Sequence, residues 1–190
     1  MSKRVCVLLA NGLEECEGLI VVDILRRAGA EVTTASIHED KQILSSHGIS
    51  FMADALLQDM AVEAFDMVVM PGGKGGTDNL TASQLVAEFV TGFAKNAEQE
   101  GKVLSAICAA PSVLGGLGLL EGRKATCFPG WEGKLRGATY TAEPVTEDGY
   151  IVTGNGLGAA IPFGLHLVAR LYGVEKAEEI RQQIQYPHEV

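Results

Sequence analysis

Apolar residues along the chain fall into two kinds of pattern: short unbroken runs, and longer stretches in which they recur every three or four positions. The runs Arg4–Ala10 (RVCVLLA), Asp66–Met70 (DMVVM) and Lys102–Ile107 (KVLSAI) predict strands buried on both faces. Glu31–Ile37 (EVTTASI) predicts a further strand. Helical periodicity marks Glu15–Gly29, which ends in the stop signal Arg26-Arg27-Ala28-Gly29, and Ser83–Asn96, with Leu85, Val86, Phe89, Val90 and Phe93 on one face. Two short strand-like pieces, Lys41–Leu44 and Ile49–Met52, flank the turn residues Ser45, Ser46 and Gly48. Val145–Val152 reads as a hairpin turning at Glu147-Asp148-Gly149, with Tyr150–Thr153 as its second arm, and Gly158–Leu171 and Val174–Gln185 close the chain as helices.

This alternation predicts one α/β domain over residues 1–190, with a mostly parallel sheet covered by helices on both faces; no repeat or linker interrupts it. Such sheets bind ligands beyond the carboxyl ends of their strands. Those ends carry Asn11-Gly12-Leu13-Glu14-Glu15-Cys16-Glu17, then Pro71-Gly72-Gly73-Lys74-Gly75-Gly76-Thr77, then Cys108, then Gly154-Asn155-Gly156-Leu157-Gly158. Cys108 falls where a strand passes into a helix over Ala109–Gly116, with Pro111 near its start and the small residues Ala106, Ala109 and Ala110 around it. At the positive end of a helix dipole a thiol is expected to favour its thiolate form. Free N–H groups at Gly73 and Ala109 are placed to form an oxyanion hole beside it, with Gly72 in the same turn.

Composition narrows the chemistry. The net charge of −9 leaves no basic footprint for nucleic-acid phosphates. No apolar run reaches the roughly 18 residues of a membrane helix, and no secretory leader is apparent, so a cytoplasmic location is expected. The four cysteines, Cys6, Cys16, Cys108 and Cys127, contain no CxxC pair, which argues against a zinc ribbon and for reduced thiols. No metal-ligand cluster or phosphate-binding lysine is evident. Gly154-x-Gly156-x-x-Ala159 mimics a dinucleotide fingerprint, but at the last strand rather than the first βα unit, and PGGKGGT fails the P-loop spacing. An isolated cysteine after a core strand is more often packing than chemistry.

The joint order of EExE after the first strand, PGG after the third core strand, AICAAP at the turn and the late FGLHLVARLYG helix resembles the ThiJ/PfpI superfamily, in the branch of the Parkinson-disease deglycase and bacterial YajL. The resemblance implies a flavodoxin-like three-layer sandwich of the class I glutamine amidotransferase type, a homodimer, and a reactive Cys108 hydrogen-bonded to a protonated Glu17. It implies no cofactor and no metal. The implied partners are small reactive aldehydes or glycated side chains, with methylglyoxal converted to lactate; the alternative it offers is a redox sensor or redox-regulated chaperone. A carboxyl beside a thiolate is expected to have a raised pKa and to donate its proton to sulfur. Where human-like members carry a histidine, this chain has Phe128, so no Cys-His relay is expected there. The peptidase members carry histidine directly after the nucleophile; here that position is Ala109. His47 matches a basic residue that is usually arginine, and with Phe128 and Cys16 it is a candidate for the substrate pocket or the dimer surface. Gly154-Asn155 and Leu157 also depart from the usual late loop.

Overall fold

In the computed structural model, which describes residues 2–188, the apolar runs lie side by side because alternate residues of each enter opposite layers. β1 (Arg4–Leu9) sends Val5, Val7 and Leu9 into one core layer and Cys6 and Leu8 into the other. A strand buried on both faces needs such a continuous apolar run. α1 (Glu15–Arg27) follows and buries Val21, Val22, Ile24 and Leu25. It is capped by Glu14, whose carboxylate accepts from Glu17 N at 2.7 Å, and the chain leaves it through Gly29 at φ 91°.

β2 (Glu31–Ser36) pairs with β1, and the small hairpin β3 (Gln42–Leu44) and β4 (Ser50–Met52) stands apart from the main sheet. After β5 (Ala55–Leu56) come β6 (Met67–Met70), α2 (Lys74–Ala82), α3 (Gln84–Ala94), β7 (Val103–Ile107) and α4 (Pro111–Gly116). A two-strand patch of β8 (Lys124–Ala125) and β9 (Thr139–Tyr140) precedes the hairpin β10 (Val145–Asp148) and β11 (Ile151–Gly154), then α5 (Ala160–Tyr172) and α6 (Val174–Gln183).

Among the described residues the central sheet has seven strands in the order β10-β11-β7-β6-β1-β2-β5, parallel except for the β10–β11 pair. Helices α1, α5 and α6 cover one face; α3 and α4 contribute to the core on the other. This is the expected flavodoxin-like three-layer sandwich. From β1 the chain steps outward to β2 and β5, then returns to the opposite side of β1 with β6 and β7. That reversal opens a crevice at the carboxyl ends of β1 and β6.

Element boundaries differ from the sequence expectation by one to three residues, with two larger departures. PGGKGGT carries no helix signal, yet residues 74–82 are helical. A Cβ on Gly76 would stand 2.7 Å from Leu13 Cα, and one on Gly12 would stand 2.9 Å from Gly75 Cα. The glycines that weaken helix propensity let α2 seat directly on the loop after β1, and that contact decides the conformation. The β10–β11 turn falls at Gly149-Tyr150 rather than Glu147-Asp148-Gly149, because Asp148 already pairs with Ile151.

Candidate active site

The strand ends converge on one residue. β7 stops at Ile107 and the chain reverses at Cys108 with φ of 65°, a left-handed conformation that costs a non-glycine residue roughly 1–2 kcal/mol. Neighbours hold it there: Cys108 N donates to Gly154 O at 2.9 Å, and Cys108 O accepts from Phe128 N at 2.8 Å. The half-buried thiol is thereby fixed between the end of β11 and the loop after β8.

Glu17 reaches the thiol from the first turn of α1. It is 1% exposed, its Oε2 accepts from Gly72 N at 3.0 Å, and its carboxyl hydrogen-bonds the Cys108 sulfur. Gly72 makes this approach possible. A Cβ there would stand 2.6 Å from both Cys108 Cβ and Glu17 Oε2, and 2.8 Å from Ile107 O. Gly72→Ala is expected to destabilise the fold by about 1–3 kcal/mol through overpacking and to pull the carboxyl away from sulfur. Denaturant melts and thiol alkylation rates check this; an alanine variant equal to wild type in both contradicts the steric role.

The electrostatics depart from the dipole expectation. Burial pushes the Cys108 thiol up to about 12, with the charge and hydrogen bond of Glu17 adding to it. The N–H groups of Gly73 and Ala109 hydrogen-bond the sulfur and oppose that rise. α4 begins only at Pro111 and runs for six residues, so its dipole is too short to outweigh the burial of the thiol and the Glu17 carboxyl beside it. Burial likewise raises Glu17 to about 7, and the neighbouring Glu14 charge adds to it, whereas the bonds from Cys108 and Gly72 pull it down. Two acids in contact share their protons as a pair. In the singly protonated pair the proton sits on sulfur or on the carboxyl, and the Gly73 and Ala109 N–H groups lower the cost of the form with thiolate and neutral carboxyl without reversing the rise of the thiol.

The structure therefore brings Cys108, Glu17, Gly72, Gly73 and Ala109 together. Phe128 adjoins them: its N–H bonds Cys108 O, and its ring stands against Gly156, where a Cβ would meet Cδ2 at 3.3 Å. His47 is exposed, with Nδ1 at 2.9 Å from Glu15 Oε1. Cys16 is exposed on α1, and partial desolvation and the flanking carboxylates Glu14, Glu15 and Glu17 raise its thiol pKa. His38 is half-buried and accepts from Asn11 N through Nε2 at 2.9 Å.

Sequence spacing hides one grouping: ligand atoms of Glu14, Glu15 and His47 lie within 4.8 Å of one another. Each already has a partner, since Glu14 caps α1 and Glu15 pairs with His47. The positive end of α1 also opposes a cation there.

These features define a flavodoxin-like α/β protein whose thiol sits at a strained strand-to-helix turn beside a buried carboxyl. The chain belongs to the DJ-1/PfpI family, whose family profile matches residues 3–170. It is 39% identical over 181 residues to protein DJ-1 homolog B of Arabidopsis thaliana, covering 94% of this chain and 40% of that protein. The chain thus spans less than half the length of that relative. Protein dj-1beta of Drosophila melanogaster is 36% identical over 182 residues, covering 95% of each chain. Its crystal structure superposes with a TM-score of 0.92, covering 99% of this chain and 100% of that one, at 35% identity. A glutathione-independent glyoxalase of Caenorhabditis elegans is 29% identical over 169 residues, covering 88% of this chain and 87% of that protein. No helix among the described residues is long and apolar enough to cross a membrane.

Proposed function

We propose that this protein is a cysteine-dependent, cofactor-independent enzyme that converts 2-oxoaldehydes such as methylglyoxal to 2-hydroxy acids. The observation that carries the reading is the hydrogen-bonded pair of Cys108 and Glu17, with two N–H donors aimed at the sulfur. The similarity to a protein named as a glutathione-independent glyoxalase supports it.

The thiolate adds to the aldehyde carbon and forms a C–S bond, and the new alkoxide takes the Glu17 proton. Glu17, now a carboxylate, removes the proton from that carbon and delivers one to the neighbouring carbonyl carbon by way of the enediol. The aldehyde carbon is oxidised to a thioester while the ketone carbon is reduced to an alcohol, so no external oxidant is consumed. Water then cleaves the thioester, releases lactate and restores the thiol. The N–H groups of Gly73 and Ala109 stabilise negative charge at the sulfur as it attacks and leaves.

Purified protein incubated with methylglyoxal and no glutathione is expected to form lactate, measured by proton NMR. Absence of lactate, together with stoichiometric sulfinate at Cys108 after mild peroxide, overturns the reading in favour of a redox sensor. The same site is proposed to accept glycated side chains as bulkier aldehyde equivalents, because the thiol is partly open to solvent. The homodimer implied by family resemblance would cover the apolar strip of Leu19, Ile20 and Ile161, and the molar mass in solution tests it.

A further inference from the structure

A cleft of about 290 Å³ opens between α2, α4 and the loop over residues 131–136, lined by Thr77, Ser112, Trp131, Lys134 and Arg136. We propose that it is a binding site for a small oxyanion group, a carboxylate or a phosphate, distinct from the thiol chemistry.

Two independent observations point to such a ligand. Thr77 is 1% exposed and its Oγ1 has no hydrogen-bond partner among the described residues. A buried hydroxyl without a partner is a retained cost unless something that accepts its hydrogen bond arrives. Two exposed cations line the same cleft. Neither Lys134 nor Arg136 makes a salt bridge among the described residues, although the chain carries a net charge of −9. Lys134 Nζ instead sits 3.6 Å from the centroid of the Trp131 ring.

Two nearby carboxylates are occupied elsewhere. Asp78, which also lines the cleft, pairs with Lys74 at 2.8 Å, and Glu132 accepts from Gly130 N at 2.8 Å. The Ser112 hydroxyl donates to Ala109 O at 2.7 Å, so of these two hydroxyls only that of Thr77 has no partner among the described residues.

The cations are placed by the fold. A Cβ on Gly115 would stand 2.3 Å from Lys134 O and 2.9 Å from Arg136 N, so the absence of a side chain there lets the loop sit directly on α4. Two cations and a buried hydroxyl around a cleft this size match the acceptor oxygens of a small anion.

Trp131 is the only tryptophan in the chain and lines the cleft, so its fluorescence reports occupancy. Inorganic phosphate and acetate are titrated separately, at ionic strength held constant with chloride. A saturable change is expected, and Arg136→Ala is expected to weaken it by about tenfold or more, the loss of one charge-assisted contact. Thr77→Val is expected to weaken binding while leaving the melting temperature unchanged or higher, because the hydroxyl has no partner in the free protein. Cys108→Ser is expected to bind as wild type does. Saturation by phosphate alone identifies a phosphate site, and saturation by acetate alone a carboxylate site. A non-saturating response to both anions, or saturation unaltered in Arg136→Ala, overturns the proposal.

Discussion

Cys108→Ser is expected to lower methylglyoxal turnover at neutral pH by a factor of at least ~10³, while the variant melts at nearly the native temperature. Deleting a covalent nucleophile in other enzymes costs 10⁴–10⁶ in kcat, and a serine hydroxyl beside a carboxyl has no comparable route to an anion. Little else changes. Serine is nearly isosteric, and the bonds that hold the turn, from Cys108 N to Gly154 O and from Phe128 N to Cys108 O, use the backbone alone. Glu17 remains in place to transfer protons to and from bound substrate, so a small residual rate is expected rather than none. Lactate formation and a thermal melt on the same preparation decide the matter. A variant retaining a tenth or more of the wild-type rate would show that Cys108 is not the nucleophile.

The two halves of this site were unequally legible in the sequence. Cys108 announces itself, because an apolar run that stops at a cysteine among alanines and a proline reads as a strand-to-helix turn by local signals alone. Glu17 does not. Acidic residues in a first helical turn are expected from the helix dipole whether or not they do chemistry, and nothing local separates Glu17 from Glu14 and Glu15. The structure separates them by burial and direction: Glu14 turns back to cap α1, Glu15 pairs with His47, and Glu17 points inward at the thiol. Only family resemblance marked that choice in advance.

Gly72 and α2 show a different limit. A glycine pair after a strand reads as a turn, yet at Gly72 the missing Cβ is what lets a carboxyl and a thiol meet. Helix α2 was invisible because its glycines lower local propensity while permitting the contact that stabilises it. Both are consequences of close approach between segments distant in sequence, which a propensity reading does not contain. The thiol's own pKa departs from the dipole expectation for a related reason. The dipole argument counts one local source of field, whereas burial and the charge of Glu17 come from the assembled crevice.

Glu17→Gln isolates that contribution, and its effect is expected in stability as well as rate. The folded-state pKa of Glu17 is raised from 4.5 to about 7, so the folded chain holds this proton more tightly than the unfolded one. For a raised pKa the stabilising contribution is fully present below about 4.5 and is lost as the pH rises through about 7. A shift of this size corresponds to roughly 3 kcal/mol between those limits. Glutamine cannot ionise, so subtracting the variant's stability-against-pH curve from that of wild type is expected to leave a fall of that order across this window. Denaturant melts from pH 4 to pH 8 measure it, and two parallel curves would show that Glu17 is not held neutral by its surroundings.

The rate responds in the opposite direction. The working pair holds one proton between two acids, so wild-type kcat/KM is expected to rise with pH through about 7, as the doubly protonated pair loses its first proton. In Glu17→Gln that step disappears, and turnover at neutral pH falls by about 10²–10⁴, the usual contribution of a positioned proton-transfer group. The thiol of the variant, freed from the carboxylate that helps push it up, is expected to titrate below its wild-type value. A variant that is slower and yet has a more acidic thiol separates proton transfer by Glu17 from simple activation of the nucleophile. If rate and thiol pKa both stay at their wild-type values, the carboxyl and the sulfur are neighbours without chemical coupling.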